Sequence, residues 1–257
     1  MMRTLHIFLL LTLLTLLPDV AVKAQVGEYR SELSLGVNGG YVMSTVGFDP
    51  EIPQQTMGGL TGGLTLRYTC EKYFKSICAI VAEVNYTQTG WKEEILTADD
   101  LPVINPVTGQ PEAYERQMTY VQVPVFARMG WGRERKGFQF FFQAGPQMGF
   151  FLGDKVKTNF DFSQRNVDDR NGVMKQAPQD SMAIERKFDY GIAAGLGLEY
   201  SHPKIGHVMV EGRYYYGLGD IYGNSKRDFF GRSNLGNIVV KLTWLFDIAR
   251  SNNPKIR

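Results

Sequence analysis

The chain has 257 residues, with Lys+Arg 28 against Asp+Glu 26, and it is rich in Gly (28), Tyr (13) and Phe (16). A charge balance this close to neutral offers no electrostatic footing for a nucleic-acid partner. The glycine and aromatic content favours strongly curved β-structure over a helical enzyme core, in one large β-domain or two small ones.

Residues 1–24 read as a signal peptide: a basic start at Arg3, an apolar run from Ile7 to Leu17, Pro18, and the small pair Val22-x-Ala24 before a cut after Ala24. The apolar run is too short to cross a bilayer. Residues 25–32 then form a periplasmic lead, and the first strand follows in "LSLGVNGGY". There Leu33, Leu35, Val37 and Tyr41 alternate with Ser34, Gly36, Asn38 and Gly40. In "LTGGLTLRY", Leu60, Leu64, Leu66 and Tyr68 alternate with Thr61, Gly63, Thr65 and Arg67.

Cys70 and Cys78, the only cysteines, stand at the two ends of the next turn. An exported protein meets oxidising conditions, so a hairpin-closing disulfide is expected there. A zinc site would lack half its ligands, and neither a metal nor a cofactor is expected. Beyond the turn, "IVAEVNYT" sets Ile80, Ala82, Val84 and Tyr86 against Val81, Glu83, Asn85 and Thr87.

The second half repeats the design. "TYVQVPVFARM" sets Val121, Val123, Val125 and Met129 against Gln122, Phe126 and Arg128, with Pro124 expected to mark a bulge or kink. "FQFFFQAGPQMGF" sets Phe138, Phe140, Phe142, Met148 and Phe150 against Gln139, Gln143 and Gln147. "FDYGIAAGLGLEY" alternates Phe188, Tyr190, Ile192, Leu196, Leu198 and Tyr200 with Asp189, Gly191, Gly195, Gly197 and Glu199. Two more segments follow, with Val208, Val210, Tyr214 and Tyr216 against Met209, Glu211 and Arg213, then Ile238, Val240, Leu242, Trp244 and Phe246 against Val239, Lys241 and Thr243. Period two over eight segments predicts an all-β, eight-stranded antiparallel transmembrane β-barrel over residues 33–247, with 248–257 as a periplasmic tail.

Periodicity alone does not say which face points inward, and three features place the apolar face against lipid. Aromatic residues near strand ends (Tyr41, Tyr68, Tyr86, Tyr200, Tyr214, Tyr216, Trp244 and Phe246) suit an interfacial girdle. The polar register carries both signs of charge (Arg67, Glu83, Arg128, Asp189, Glu199, Glu211, Arg213 and Lys241), as a crowded, self-neutralising lumen requires. Finally, connections alternate in length: Ser44–Met57, Gly90–Gln117, Leu152–Ile184 and Gly219–Leu235 are long, while the cysteine turn, Trp131–Gly137 and Ser201–His207 are short. Outer-membrane barrels show this asymmetry, with long loops outside the cell.

"LGVNGGY", "VAEVNYTQTGW", "YVQVPVFARMG", "FFQAGPQMGFFLG", "FDYGIAAGLGLEY" and "EGRYYYGLGDIY" occur in this order over nearly all of the exported chain. In this the sequence resembles the PorT-like "porin family" barrels of Bacteroidetes-type bacteria, small barrels of the OmpX/OmpW-like kind. The resemblance implies an outer-membrane location. It also implies handling by the barrel assembly machinery, through an aromatic near the C-terminus such as Phe246, and a link to secretion-system or cell-surface components. The chain departs from the pattern in its cysteine pair and in the residues that run past Phe246.

No enzyme is expected. "GIAAGLG" lacks the helix that a dinucleotide site needs. His202 and His207 share one periplasmic turn, which leaves no base at the outer surface, and Asp99-Asp100 and Asp168-Asp169 read as solvated loop charge. The third outer loop, long, polar and mixed in charge, reads as a mobile surface suited to a partner or polysaccharide. Within it "DSM" resembles a short O-glycosylation motif at Ser181. The function expected is a non-enzymatic outer-membrane protein with a side-chain-filled lumen and a structural or interaction role, its partners being outer-membrane lipid and the components above. Two alternatives stand beside it: passage of small solutes, and a soluble periplasmic ligand-binding barrel turned the other way out.

Overall fold

The computed structural model describes residues 30–73, 76–97, 99–105, 107–133, 136–160, 182–223 and 230–252. The expected signal peptide, Asp168-Asp169, Ser181 and residues 253–257 lie outside the described residues. In chain order the strands are β1 Arg30–Asp49, β2 Gln54–Gln55, β3 Met57–Tyr73, β4 Ser76–Glu94, β5 Ala113–Gly132, β6 Gly137–Thr158, β7 Phe188–His202, β8 Gly206–Asp220 and β9 Arg232–Asn252. Apart from the two-residue β2, each strand pairs antiparallel with the next, and β1 pairs with β9. The result is a closed eight-strand ring, above which β6 runs on beside β5 alone.

The alternation in the sequence becomes two faces of this wall. Leu35, Val37, Leu64, Val84, Phe140, Ile192, Val210 and Leu242 are exposed on the outside, while Ser34, Thr65, Gln143, Glu211 and Lys241 are buried within. An apolar exterior over a polar interior is the arrangement a bilayer stabilises and water does not. Small residues let the wall close: a Cβ added to Gly36 would lie 1.8 Å from the Trp244 carbonyl oxygen across the β1–β9 seam. Gly206 makes the β7–β8 turn at φ +90°, a conformation L side chains rarely adopt.

Several expectations need correction. The strands run further than the hydrophobic pattern suggests: β6 has 22 residues and β9 has 21, where about 9–11 tilted residues cross a bilayer. Residues 30–32 therefore belong to β1, and β9 continues to Asn252, with Arg30 opposite Asn252. Register shifts between Leu33 and Ser34, where Ile248 is the extra residue of a bulge on β9. Pro124 keeps its register opposite Gln147, and the β5–β6 irregularity lies instead at Thr119/Tyr120, opposite Leu152. Cys70 and Cys78 are free thiols. The β3–β4 ladder loses register between Thr69 and Lys72, so Cys70 has no cross-strand partner there, while Cys78 pairs with Met129 of β5.

Candidate functional site

The lumen is filled in tiers. Nearest the short turns, Glu199 of β7 gathers cations from three other strands. Arg67 of β3 donates to both of its carboxylate oxygens through Nη1, at 2.8 and 2.9 Å. Arg128 of β5 also donates to it, and lies 4.0 Å over the Phe141 ring. His207 Nδ1 of β8 lies 2.8 Å from Glu199 Oε1, and its Nε2 lies 3.2 Å from Asp247. Asp247 in turn accepts from Ser34 Oγ at 2.6 Å and from Arg250 at 2.7 Å. This end of the barrel is a continuous polar plug across β1, β3, β5, β7, β8 and β9.

Ser201 Oγ lies 2.8 Å from His207 Nδ1, so a serine, a histidine and Asp247 stand in line. Ser201 also donates to Glu199 at 3.0 Å and is buried within the plug. Its contacts are those of a structural hydrogen bond, since a nucleophile needs an open approach and an oxyanion site beside it.

One tier outward, Arg213 of β8 donates to both oxygens of Glu83 of β4 at 2.9 and 3.0 Å, and Lys241 of β9 donates to the same carboxylate at 2.6 Å. Glu211 accepts from Arg213 and from Gln143 Nε2, the latter at 2.6 Å. Two cations and two carboxylates balance here, and Arg213 lies 4.4 Å over the Phe126 ring. All eight charged positions singled out in the sequence are at most 4% exposed. Buried charge on this scale persists only when it is paired and hydrogen-bonded.

Asp189 does not join either cluster, which corrects its grouping with the others. It sits at the outer end of β7, where its partner is the Tyr215 hydroxyl, donating to Oδ2 at 2.5 Å. Its Oδ1 accepts no side-chain hydrogen bond among the described residues. Outside the wall, Tyr68, Tyr200, Trp244 and Phe246 lie toward the short turns, and Trp244 donates to the Ile205 carbonyl at 2.8 Å. Tyr41, Tyr86, Tyr214 and Tyr216 are exposed toward the long loops.

Above Asp189 the lumen changes character, and this region was not foreseen. The ends of β1, β4 and β5, with the segments around Ile184, Tyr222 and Phe230, enclose an apolar core. Phe48 packs edge-on against Trp91 at 5.3 Å and tilted against Phe230 at 4.9 Å, and Tyr222 stacks on Phe230 at 5.7 Å. Arg116 lies 5.8 Å over Trp91, donates to Asp154 at 2.8 Å and to the Tyr222 hydroxyl at 3.1 Å, and ties in the Met182 carbonyl at 2.6 Å. The described parts of the expected outer loops thus pack into a cap. Its signal in the sequence is a phase change. The apolar set of β1 moves from Leu33, Leu35, Val37 and Tyr41 to Val42, Val46 and Phe48, and that of β5 changes between Tyr120 and Val121.

A family model described as outer membrane protein beta-barrel domain matches residues 23–223. No curated protein matches the chain. Among solved structures it is similar to Neisserial surface protein A, at 9% identity over 84% of this chain and 99% of that one, with a TM-score of 0.40. It is also similar to OprG of Pseudomonas aeruginosa, at 11% identity over 85% and 96%, with a TM-score of 0.36. Ail, the attachment invasion locus protein of Yersinia pestis, crystallised with the heparin analogue sucrose octasulfate, is 12% identical over 84% and 99%, with a TM-score of 0.34.

Proposed function

The chain belongs to the outer membrane protein beta-barrel domain family and resides in the outer membrane, and from that premise we propose a non-enzymatic barrel that acts through its outer face. The observation that carries this reading is the double closure of the lumen. A solute would have to part the Glu83–Arg213–Lys241 and Glu199–Arg67–Arg128 clusters and then the Phe48–Trp91–Phe230 core. An eight-stranded wall leaves room for little more than its own side chains. The cap, by contrast, holds a surface rigidly outside the bilayer, which suits recognition of cell-surface components.

The order of motifs from "LGVNGGY" to "EGRYYYGLGDIY" supports a finer kinship with PorT-like barrels and a role beside protein secretion. On this reading residues 1–24 are removed on export, and the barrel assembly machinery inserts the remainder. Planar-bilayer recording tests the closed lumen: the purified barrel should give no stable conductance, and a large steady conductance would establish the solute-passing alternative. Deleting the gene and measuring surface-delivered proteins tests the secretion link, and unchanged delivery would remove it.

A further inference from the structure

The connection between β4 and β5 folds into a small sheet of its own on the cap. Two antiparallel bridges define it, Leu96 opposite Pro102 and Ile104 opposite Pro111. Residues opposite one another share a face, as do residues two apart on one strand, so Leu96, Pro102, Ile104 and Pro111 lie together. The other face carries Ile95 and Val103, which are buried in the aromatic core. Its turns are stiff. The Thr97 amide donates to the Leu101 carbonyl at 2.7 Å across the first. In the second, Asn105 Oδ1 accepts from the Val107 and Thr108 amides at 2.8 and 3.2 Å, while Asn105 Nδ2 donates to the Asn159 carbonyl at 2.8 Å.

The outward face of this sheet is apolar although it lies past the ends of the wall strands. Leu101, Ile104 and Val107 are 62, 52 and 81% exposed, and Pro102 and Pro111 are exposed beside them. Charge around the face has one sign: from Glu93 to Glu115 there are six carboxylates and no Lys, Arg or His. Asp99 and Asp100 are exposed at the first turn, and Glu94 is half-buried two residues before Leu96. We propose that this acidic-rimmed apolar face docks a protein whose own patch is apolar and bordered by lysines or arginines. A preorganised apolar surface loses little entropy when it is covered, and contiguous exposed apolar area of this kind marks interaction sites. The rim selects the occupant. A second copy of the chain would set carboxylates against carboxylates, and an anionic leaflet would be repelled in the same way, whereas a cationic protein surface is attracted and oriented. The inference rests on the reading of the barrel as acting through its outer face, and it names the place and the chemistry of the partner.

The test uses the full-length barrel in its own cell, with the photo-crosslinker p-benzoylphenylalanine in place of Leu101. Irradiation should give one discrete protein adduct, and mass spectrometry should map the crosslink to an apolar patch bordered by Lys or Arg. The same crosslinker in place of Ile205, at the opposite end of the barrel, should not give that adduct. I104S/V107S should lower the yield roughly tenfold, and D99K/E94K by a similar factor, while I104V/V107I should retain it. Each variant is compared at equal amounts of the heat-shifted gel band of a folded barrel. No protein adduct at Leu101, a lipid adduct, or an adduct only to a second copy of the barrel would each overturn the inference. So would a partner crosslinked through an acidic surface, or a yield that both disruptive double variants leave unchanged. A large conductance in the bilayer recording would refute the closed lumen and leave the adduct in place, whereas a closed lumen without the adduct would refute the docking face alone.

Discussion

Below Tyr41 the first strand is inside-out, and above it the same strand is ordinary. Leu35 and Val37 face lipid while Ser34 and Asn38 are buried. Seven residues on, Val46 and Phe48 are buried and Asp49 faces solvent. One continuous ladder carries both halves, so hydrogen bonding does not distinguish them. The surrounding solvent does. Inside the bilayer the lumen is stabilised by ion pairs, because the apolar residues gain nothing by turning inward from lipid. In the cap the hydrophobic effect is restored, and Phe48, Trp91, Tyr222 and Phe230 collect at the centre as they would in a soluble protein.

The largest predicted effect breaks the membrane half. Glu199→Ala removes the carboxylate that Arg67 and Arg128 share and leaves both guanidiniums buried, a loss of about 3–5 kcal/mol by analogy with other broken buried pairs. A urea titration followed by heat-shifted gel mobility measures it, and an unchanged midpoint would refute the clustered lumen. Trp91→Ala costs a similar amount, about 3–5 kcal/mol from the cavity it leaves. Its reach should differ: hydrogen exchange should rise in the cap while the strands below Tyr41 keep their protection. A matched pair then compares the outer surfaces. Val84→Lys, on the lipid face, should cost about 2–4 kcal/mol, whereas Thr119→Lys, outward at the base of the cap, should change stability by less than about 0.5 kcal/mol. Equal costs at the two positions would mean that the solvent boundary is misplaced.

The membrane half was the legible half. Phe188 to Tyr200 alternates without interruption and Leu33 to Tyr41 breaks only at Gly39, and a two-residue period reports a half-buried strand whatever solvent surrounds it. The lumen charges were legible as a set because any charge on that register must face inward. Their division into two clusters was not, since pairing depends on the stagger between strands that are far apart in sequence. The cap escaped because its residues sit where the phase changes. Trp91, Tyr114 and Phe230 occupy stretches that look like loops when each apolar set is required to continue in one register. The bulge at Leu152 was hidden for the same reason, and Pro124 drew attention instead because a missing donor is visible in the sequence while an extra residue is not.

Asp189 lies at the seam between the halves, and it gives the sharpest contrast. A carboxylate in the ion network would be costly to neutralise, as Glu199 is. Asp189 has no cation beside it among the described residues, and its one side-chain partner is the Tyr215 hydroxyl. Tyr215→Phe removes the only side-chain donor to Asp189 among the described residues and should cost about 1–3 kcal/mol, the penalty of an unmade buried hydrogen bond. Asp189→Asn keeps the shape and can still accept from Tyr215 through its amide oxygen. It strands no cation, so the change should stay within about 1 kcal/mol. The comparison to make is Asp189→Asn against Glu199→Gln under the same denaturant titration. Isosteric neutralisation should be mild at the seam and severe in the plug, where the loss of one negative charge leaves Arg67 and Arg128 facing each other across a neutral amide. If the two substitutions cost the same, Asp189 is part of the charged lumen after all, and the boundary between the halves moves outward to the level of the aromatic core.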